Sequence, residues 1–534
     1  MPDVDFTTRL PRSLYLSSQV QQLDKIAIEQ FKIPAFELMQ VAAGSAFSNL
    51  RETWPHIGRI EVWCGGGNNA GDGYVVAALA VDAGLGALAI AVADPKKLIG
   101  SAAKAFRLAL SRGVKVLTLD EYEPQPENKP GQRVIVDALF GTGLARDVEG
   151  DYATAIDIVN RQGQPILAID VPSGLSADTG RVMGCAVRAN LTVTFIGLKI
   201  GLLTGVARDY VGRLNYDSLD LPDKFFCQEK APTPVARRLD INHVSRLLPP
   251  RARTSHKGNN GHVLILGGDH NYGGAVIMAA EAAARAGAGL VSVITRSCHR
   301  NAALARRPEL MIAGTEDESV DTGSLLQKAR VIVIGPGLGR SGWARDLLRL
   351  ALAAQRARCL PLVIDADGLQ LLAELAETQV QHRRDTWILT PHPGEAAVLL
   401  DTDTKTIQSD RLAAVMGLAS RWGGHCLLKG SGSLICSDHE AQKEVYLCTE
   451  GNPGMGSAGM GDVLSGLIAG LLAQGLPPRQ ALCCATAVHG EAADQAAAVA
   501  GERGLMATDL FPFIHQLVNP PSDQSRNYGT QSLP

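Results

Sequence analysis

The sequence predicts an α/β protein with two domains, each built on a parallel sheet. The chain of 534 residues is too long for one hydrophobic core, since domains usually comprise about 100 to 200 residues. Short apolar runs alternate with alanine-rich segments of helical spacing, which is the pattern of parallel strands buried on both faces. Residues 221–240, rich in proline and charge, interrupt the alternation and are the predicted linker region.

Twelve apolar runs are predicted to be strands, six before the interruption and six after it. The first six are RIEVWC (59–64), ALAIAVA (87–93), VKVLTL (114–119), RVIVDAL (133–139), PILAID (165–170) and LTVTFI (191–196). The other six are HVLILGG (262–268), GLVSVIT (289–295), RVIVIGPG (330–337), LPLVIDAD (360–367), TWILTPH (386–392) and HCLLKG (425–430). The polar tail after Asn519 has nothing to bury and is expected to be disordered.

The composition indicates a soluble cytoplasmic protein without nucleic-acid or membrane partners. The net charge of −3 is the small difference between 51 basic and 54 acidic residues spread along the chain, so no global field attracts polyanions. No apolar stretch reaches the length of a membrane span, and the N-terminus has no signal-peptide pattern. The ten cysteines show no CxxC pair or zinc spacing, so we expect reduced core residues.

The stretch GNPGMGSAGMGDVLSG, residues 451–466, predicts an anion site at the start of a helix. Glycines let backbone N–H groups approach phosphate oxygens, and the helix N-terminus adds a partial positive charge. Asp462 would point toward the same place, where a metal ligand or a general base for phosphoryl transfer is plausible chemistry. The alternative is that Asp462 only caps its helix.

Two further polar turns end strands of the second half. They are the run from Lys429 to Ser433, KGSGS, and the HPGE turn that begins at His392. In a doubly wound sheet such turns surround the ligand crevice at the carboxyl ends of the strands. The absence of a GxxxxGK[ST] sequence excludes a Walker-type site.

Together GNPGMGSAGMGDVLSG, GPGLG (335–339), LTPHPGE (389–395), LKGSG (428–432) and SHKGNNGHVLILGG (255–268) resemble the ADP-dependent NAD(P)H-hydrate dehydratases. The resemblance spans about residues 240–515 and implies a ribokinase-like fold. It implies that NADH or NADPH hydrated at C6 of the nicotinamide is phosphorylated by ADP and then loses phosphate. Magnesium is expected with a nucleotide phosphoryl donor, but the sequence identifies no ligands for it. By resemblance Asp462 is the base, and Ala275, Gly337 and His392 line the hydrate side with it. The implied nucleotide site comprises Lys429, Gly430, Ser431, Gly432, Ser433 and the anion-hole residue Gly461.

Three polar turns also end strands of the first half. They are GGGNNAGDG (65–73), DALFGTGL (137–144) and DVPSGL (170–175). Amide, hydroxyl and carboxylate oxygens without Cys or His suit a hard cation, and a monovalent one better than zinc. The first turn also fits a dinucleotide fingerprint of a Rossmann dehydrogenase, although its two asparagines argue against that, and each Asp alone also suits turn capping.

These three turns resemble the NAD(P)H-hydrate epimerases over about residues 10–225. The resemblance implies that Asn69, Asp137 and Ser173 coordinate potassium and that Asp170 is the acid or base that interconverts R and S hydrates. Ala70 stands where family members often have Gly, which leaves the backbone there open. The implied hydrate contacts are Asn68, Asn69, Ala70, Gly71, Asp72, Gly141, Thr142, Gly143, Leu144, Ala145, Arg146, Asp147, Tyr152 and Asp170.

The two resemblances imply a bifunctional repair enzyme, because an ADP-dependent site of fixed handedness needs an epimerase for the other epimer. The predicted order is a Rossmann-like three-layer epimerase domain (1–225), a linker (226–240), a ribokinase-like dehydratase domain (241–518) and a disordered tail (519–534). A homo-oligomer is expected from the family. The rival hypotheses are a ribokinase-like small-molecule kinase with a regulatory N-terminal domain and a binding module without turnover.

Overall fold

The computed structural model describes residues 10–123, 133–317, 321–376, 385–439 and 442–519. The predicted tail beyond Asn519 lies outside these residues. The strands are β1 (Ser13–Tyr15), β2 (Arg59–Cys64), β3 (Gly86–Ala91), β4 (Lys115–Thr118), β5 (Arg133–Ala138), β6 (Ile166–Ile169), β7 (Leu191–Phe195), β8 (Leu198–Lys199), β9 (Arg213–Asp217), β10 (Ala236–Arg238), β11 (His262–Leu266), β12 (Leu290–Thr295), β13 (Met311–Gly314), β14 (Val331–Ile334), β15 (Leu362–Ile364), β16 (Trp387–Leu389), β17 (Gly424–Leu428), β18 (Ser433–His439) and β19 (Gln442–Cys448).

The α-helices are numbered in the same way. They are α1 (Ser17–Glu29), α2 (Ala35–Thr53), α3 (Asn68–Asp82), α4 (Gly100–Ser111), α5 (Gly150–Arg161), α6 (Arg208–Val211), α7 (Asp223–Phe226), α8 (Ile241–Val244), α9 (Gly273–Arg285), α10 (Arg300–Arg306), α11 (Thr322–Lys328), α12 (Gly342–Arg358), α13 (Asp367–Ala376), α14 (Pro393–Leu400), α15 (Thr404–Ser409), α16 (Arg411–Trp422), α17 (Met460–Ala473), α18 (Pro478–Ala500) and α19 (Phe511–Leu517). No helix in the described ranges is long and apolar enough to cross a membrane.

The first sheet has seven strands in the order β4-β3-β2-β5-β6-β7-β9, and all its pairs are parallel. All six strands predicted for the first half are present, which confirms the parallel sheet. The chain moves outward from β2 to β4 and then returns to place β5 on the other side of β2. This reversal opens a crevice at the carboxyl ends of β2 and β5, where ligands bind in such sheets.

The second sheet begins with seven parallel strands in the order β13-β12-β11-β14-β15-β16-β17. Its order reverses between β11 and β14. Strands β18 and β19 then continue it as an antiparallel hairpin. The six strands predicted for the second half are all present, so the α/β class with two domains is confirmed.

Three short strands carry this second sheet across the domain boundary, which gives twelve strands in all. Strand β10, inside the predicted linker, pairs in parallel with β19 and antiparallel with β1, and β1 pairs with β8. The buried guanidinium of Arg238 donates to the carbonyls of Leu10 and Leu239 at 2.9 and 3.1 Å. The edge of β19 is therefore covered by strands of the linker and the N-terminal half.

Close helix packing explains several glycines of the GMGDVLSGLIAG stretch. A Cβ at Gly466 would stand 2.0 Å from the carbonyl oxygen of Ala279, and one at Gly470 would stand 2.6 Å from Cβ of Ala286. Both neighbours belong to α9 or follow it directly. These two glycines let α17 lie against α9, and that contact fixes the start of α17, where Asp462 lies.

Candidate active sites

In the first domain, the ends of β5 and β6 bring Asp137 and Ser173 together in a buried position. The hydroxyl of Ser173 donates to Oδ1 of Asp137 at 2.5 Å, and its amide donates to Oδ2 at 2.7 Å. Burial raises the pKa of Asp137 to about 6, although these hydrogen bonds oppose the shift. The predicted convergence of these two turns is thus present.

Asn69 completes this group from the first turn of α3. Its Nδ2 donates to the carbonyl of Phe140 at 2.8 Å, while its Oδ1 is buried and has no hydrogen-bond partner among the described atoms. The amide of Phe140 donates in turn to Oγ of Ser173 at 2.9 Å. An orphaned amide oxygen beside a carbonyl, a hydroxyl and a carboxylate is a donor set that fits a hard monovalent cation.

Asp170 lies directly after β6 in the left-handed region, with φ +70°, an unfavourable conformation for a residue with a side chain. Its Oδ1 accepts from Nζ of Lys199 and, at 3.1 Å, from Oγ1 of Thr194. Lys199 is 1% exposed and also donates to the carbonyl of Phe195. Lys199 and Thr194 were not predicted, although a lone lysine in the apolar run TFIGLKIGLL is a sequence signal for a paired charge.

Two more carboxyl groups lie near Asp170. Burial raises the pKa of Asp72 well above its ordinary value, and repulsion from Asp170 and Asp24 adds to the shift. Burial raises the pKa of Asp24 to about 6, which Lys199 opposes and Asp170 reinforces. Asp24 was not predicted. The crevice therefore combines an ion-paired carboxylate with two carboxyl groups whose pKa values are raised above that of an ordinary aspartate.

The predicted hydrate contacts not yet described lie in several parts of the domain. A Cβ at Gly141 would stand 3.5 Å from both Oδ2 of Asp170 and Cβ of Asn69, so this glycine lies between those side chains. Tyr152 stacks on Phe140 with ring centroids 4.4 Å apart. The rim of the crevice is formed by the exposed or half-exposed residues Asn68, Thr142, Gly143, Leu144, Ala145, Arg146 and Asp147.

Ala70 and Gly71 lie apart from the crevice surface. Ala70 is fully buried, and a Cβ at Gly71 would stand 2.6 Å from Cε of Met39 and 3.0 Å from Cα of Ala102. These positions therefore pack α3 against α2 and α4, and only their backbone is left for a ligand contact.

In the second domain, Asp462 lies in the first turn of α17, after Gly459 in the left-handed conformation (φ +91°). Burial raises the pKa of Asp462 to about 7, and the charge of Asp365 raises it further while Lys429 opposes the shift. The N-cap of α17 is Gly459, which has no side chain to cap the helix. A carboxyl group that titrates near neutrality is suited to general-base catalysis.

The side chain of Lys429 lies among three carboxyl groups, those of Asp365, Glu395 and Asp462. Its Nζ lies 2.8 Å from Oδ1 of Asp365 and 3.8 Å from Oε2 of Glu395, and Ser465 donates to the other Asp365 oxygen at 2.7 Å. Burial alone would raise the pKa of Asp365, but the Lys429 ammonium and the hydrogen bonds lower it. Burial raises the pKa of Glu395, against the effect of Lys429. Asp365 was not predicted, although it ends an apolar strand.

The proposed anion-binding backbone surrounds Lys429. A Cβ at Gly461 would stand 3.4 Å from its Nζ, so the peptide of Gly461 lies beside the ammonium. The turn that follows is closed by Ser433, whose Oγ accepts from the amide of Gly430 at 3.2 Å and donates to its carbonyl at 2.9 Å. Ser457, in the glycine-rich stretch, has a buried hydroxyl without a partner among the described atoms.

Of the residues predicted on the hydrate side, Ala275 and Gly337 lie at the reversal between β11 and β14, whereas His392 follows β16. Gly337 has φ +55°, and a Cβ there would stand 2.5 Å from the carbonyl of Tyr272 and 3.1 Å from Cβ of Ala275. His392 precedes α14, and its Nδ1 accepts from the amides of Gly394 and Glu395 at 3.0 and 3.2 Å. His392 therefore caps α14 and leaves its Nε2 edge toward Glu395 and solvent.

His489 of α18 is a further buried group that the sequence did not single out. Burial lowers its pKa to about 4, and its Nε2 has no hydrogen-bond partner among the described side chains. Its imidazole is therefore neutral at physiological pH.

The chain is similar to known proteins in both halves. A family model described as NAD(P)H-hydrate dehydratase matches residues 263–516, and one described as YjeF-related protein N-terminus matches residues 35–201. The bifunctional NAD(P)H-hydrate repair enzyme Nnr of Coxiella burnetii is 46% identical, covering 95% of this chain and 99% of that one. The enzyme of the same name from Escherichia coli is 40% identical, covering 98% of both.

Two similar solved structures each cover about half of this chain. A ribokinase-like superfamily protein of Enterococcus faecalis shares 30% identity with a TM-score of 0.48, covering 54% of this chain and 98% of that one. The ADP/ATP-dependent NAD(P)H-hydrate dehydratase of Bacillus subtilis, co-crystallised with ATP and Mg²⁺, shares 26% identity with a TM-score of 0.46, covering 52% and 96%. On the near full-length identity to the curated relatives, the chain belongs to the family of bifunctional NAD(P)H-hydrate repair enzymes, which join an epimerase domain to an ADP/ATP-dependent dehydratase domain.

Proposed function

We propose that Asp462 is the general base of the dehydratase. The observation that carries this assignment is a carboxyl group with a pKa of about 7 in the first turn of α17, next in sequence to Gly461 and within the field of the Lys429 ammonium. Asp462 takes the proton of the C6 hydroxyl, whose oxygen attacks the β-phosphorus of ADP, and AMP leaves. The phosphate ester then loses phosphate and the C5 proton, and the C5–C6 double bond of NAD(P)H forms.

The surroundings of Asp462 supply the electrostatics of this step. The ammonium of Lys429 and the amide of Gly461 lie where negative charge would grow on the transferred phosphoryl group. Residues 430–433 hold the nucleotide, and Ala275, Gly337 and His392 border the hydrate. Magnesium is expected as the counter-ion of the nucleotide phosphates, although the described residues contain no cluster of three His, Cys, Asp or Glu side chains that could hold a metal ion.

In the first domain we assign epimerisation to Asp170 together with Asp72. The ring nitrogen expels the C6 oxygen, which takes a proton from a protonated carboxyl group, and water adds to the opposite face as a carboxylate takes its proton. Asp170, ion-paired with Lys199, supplies the carboxylate that takes the proton of water. Asp72, whose pKa is raised, supplies the protonated carboxyl group. Tyr152 and the loop 141–147 border the hydrate in this proposal.

Potassium is the cation that we place with Asn69, Asp137 and Ser173. The support is the orphaned Oδ1 of Asn69 in a buried group of oxygen donors. Bound there, potassium would hold the Asp137 and Asp170 turns in register and fix the loop that begins at Gly141.

The domain limits 1–225, 226–240 and 241–518, a homo-oligomeric state and a cytoplasmic location remain part of this proposal. The location is supported by the ten cysteines, all of which are free thiols. Six of them are buried as expected, whereas Cys227, Cys298 and Cys359 are exposed and Cys185 is half-buried. Gel filtration of the full chain tests the oligomeric state.

The test of both activities is the near-ultraviolet absorbance of regenerated dihydronicotinamide when the protein and ADP are added to a mixture of hydrate epimers. We expect an ADP-dependent rise that continues past the S fraction faster than spontaneous epimerisation allows. A rise that stops at the S fraction would remove the epimerase assignment. No rise at all would contradict the dehydratase assignment.

A further inference from the structure

A segment of the N-terminal domain, residues 203–205, lies directly on the turn 430–433 of the dehydratase domain. The amide of Gly205 donates to the carbonyl of Ser431 at 3.2 Å. The hydroxyl of Thr204, which is 2% exposed, donates to the carbonyl of Gly432 at the same distance. A Cβ at Gly432 would stand 2.1 Å from the carbonyl oxygen of Leu203. The second glycine of KGSG is thus required by the contact between domains.

Arg411 of α16 holds the first part of the same turn. Its side chain is 1% exposed, and its Nη2 donates to the carbonyls of Leu428 and Lys429, both at 3.2 Å. Its Nε donates to Oγ1 of Thr204, also at 3.2 Å. A directional chain of hydrogen bonds therefore runs from the Arg411 guanidinium through the Thr204 hydroxyl to Gly432.

These contacts fix the direction of the peptide groups in the turn. In a trans peptide, the carbonyl of one residue and the N–H of the next point in opposite directions. Because the Ser431 carbonyl points to Gly205, the N–H of Gly432 points away from the N-terminal domain. The carbonyl of Gly430 is held by Ser433, so the N–H of Ser431 is held in a defined direction as well. Two adjacent N–H groups held in this way form the kind of concavity that binds an anion.

We propose that Thr204 and Arg411 are positioning residues for the nucleotide, so that the ADP site of the dehydratase is completed by the epimerase domain. This inference rests on the proposed assignment of residues 429–433 to the nucleotide. Neither residue touches the reacting atoms in this proposal. They act by holding the carbonyls of Leu428, Lys429 and Gly432 at the two ends of the turn, which keeps the turn in the shape that presents the N–H groups of Ser431 and Gly432 to phosphate oxygens.

The test compares Thr204→Val, which removes the hydroxyl at nearly constant shape, with Thr204→Ser, which keeps it. ADP affinity is measured on the full chain by calorimetry, together with KM for ADP, KM for the S hydrate and kcat. We expect Thr204→Val to weaken ADP binding about tenfold, equivalent to about 1.4 kcal/mol. The hydrate KM should stay unchanged, and Thr204→Ser should restore ADP affinity. Unchanged ADP affinity in Thr204→Val would overturn the proposal.

A second contact across the same boundary supplies the control. Arg208 donates to the carbonyls of Thr449 and, at 2.7 Å, Gly451, without contacting the turn. Arg208→Ala should leave ADP affinity within about twofold of wild type. If it weakens ADP binding as much as Thr204→Val does, the effect is a general loosening of the domain contact and the proposal fails. Should Thr204→Val lower the Tm strongly, Thr204→Ala replaces it, with the same expected loss of ADP affinity.

Variants of the exposed residue Ser431 distinguish the positioning role of Thr204 from the assignment of residues 429–433 to the nucleotide. Ser431→Glu places a negative charge beside the nucleotide phosphates, and Ser431→Gln is its neutral control. If Ser431→Glu leaves ADP affinity equal to that of Ser431→Gln, the turn is not the nucleotide site and both ideas fail. If Ser431→Glu weakens ADP binding and Thr204→Val does not, only the positioning role fails.

Discussion

Both active sites contain a lysine among carboxyl groups, buried in the first and half-buried in the second, but the two lysines have different partners. Lys199 is ion-paired to Asp170, the proposed catalytic residue itself. Lys429 is paired to Asp365, a neighbour of the proposed base Asp462, which titrates near 7. The comparison teaches that the position of one ammonium decides which carboxyl group of a cluster stays available to take up a proton near neutral pH.

The largest expected effect is the loss of dehydration in Asp462→Asn. Without a base on the hydroxyl, the ADP-dependent rate for the S hydrate should fall by about a thousandfold. Epimerisation of the R hydrate should stay near the wild-type rate, because its residues lie in the other sheet. Dehydration within tenfold of wild type would show that Asp462 is not the base.

The matching change in the first domain is Asp170→Asn. We expect epimerisation to fall by about a hundredfold, while dehydration of the pure S hydrate stays near normal. The R hydrate should then accumulate when a mixture of epimers is supplied with ADP, as chromatography of the residual hydrate would reveal. If the R hydrate is still consumed at the wild-type rate, Asp170 is not the acid or base, and the comparison of the two lysine pairs no longer holds for the first domain.

A smaller effect is expected from the cation group. Asn69→Ala removes the orphaned oxygen, so the potassium concentration that half-activates epimerisation should rise about tenfold. The measurement is the epimerisation rate against potassium, with sodium chloride holding the ionic strength constant. Dehydration of the S hydrate in the same solutions is the control. Equal potassium dependence in the variant and the wild type would argue that Asn69 is not a ligand.

The smallest expected effect concerns the pH profile of dehydration. Asp462 must be deprotonated to act as a base, so kcat/KM for the S hydrate should rise with pH through about 7 and then level off. Lys429 lowers the pKa of Asp462, so Lys429→Met should move the midpoint upward by about one pH unit. Lys429→Arg keeps the charge and should leave the midpoint in place. A midpoint that moves downward in Lys429→Met would contradict the proposed electrostatic arrangement.

Twelve of the parallel strands were predictable because each is a continuous apolar run, whereas the parallel strands β9 and β13 and the strands that join the domains were not. Strands β1, β8 and β10 have two or three residues and include Ser13, Lys199 and Arg238, so no hydrophobic period marks them. The hairpin β18–β19 was also missed. It mixes buried apolar residues with polar ones such as Asp438 and Lys443, so it has no continuous apolar run.

The sites were predictable where a glycine-rich turn follows a strand. The sequence could not show which distant groups meet there. Asp365 and Ser465 are 100 residues apart in the chain, as are many partners in such folds, and no local spacing connects them. Thr204 likewise carries no motif, since its role depends on a turn more than 200 residues away.

The strand pairing across the domain boundary has a consequence for anyone who tries to separate the two enzymes by cutting the chain. A fragment that begins at residue 241 lacks β10, so the outer peptide groups of β19 become an open edge. Such an edge is a template for pairing with another molecule, and aggregation of the fragment is the expected result. The two reactions are chemically separate, yet the shorter polypeptide would need a rebuilt edge before it could be handled alone.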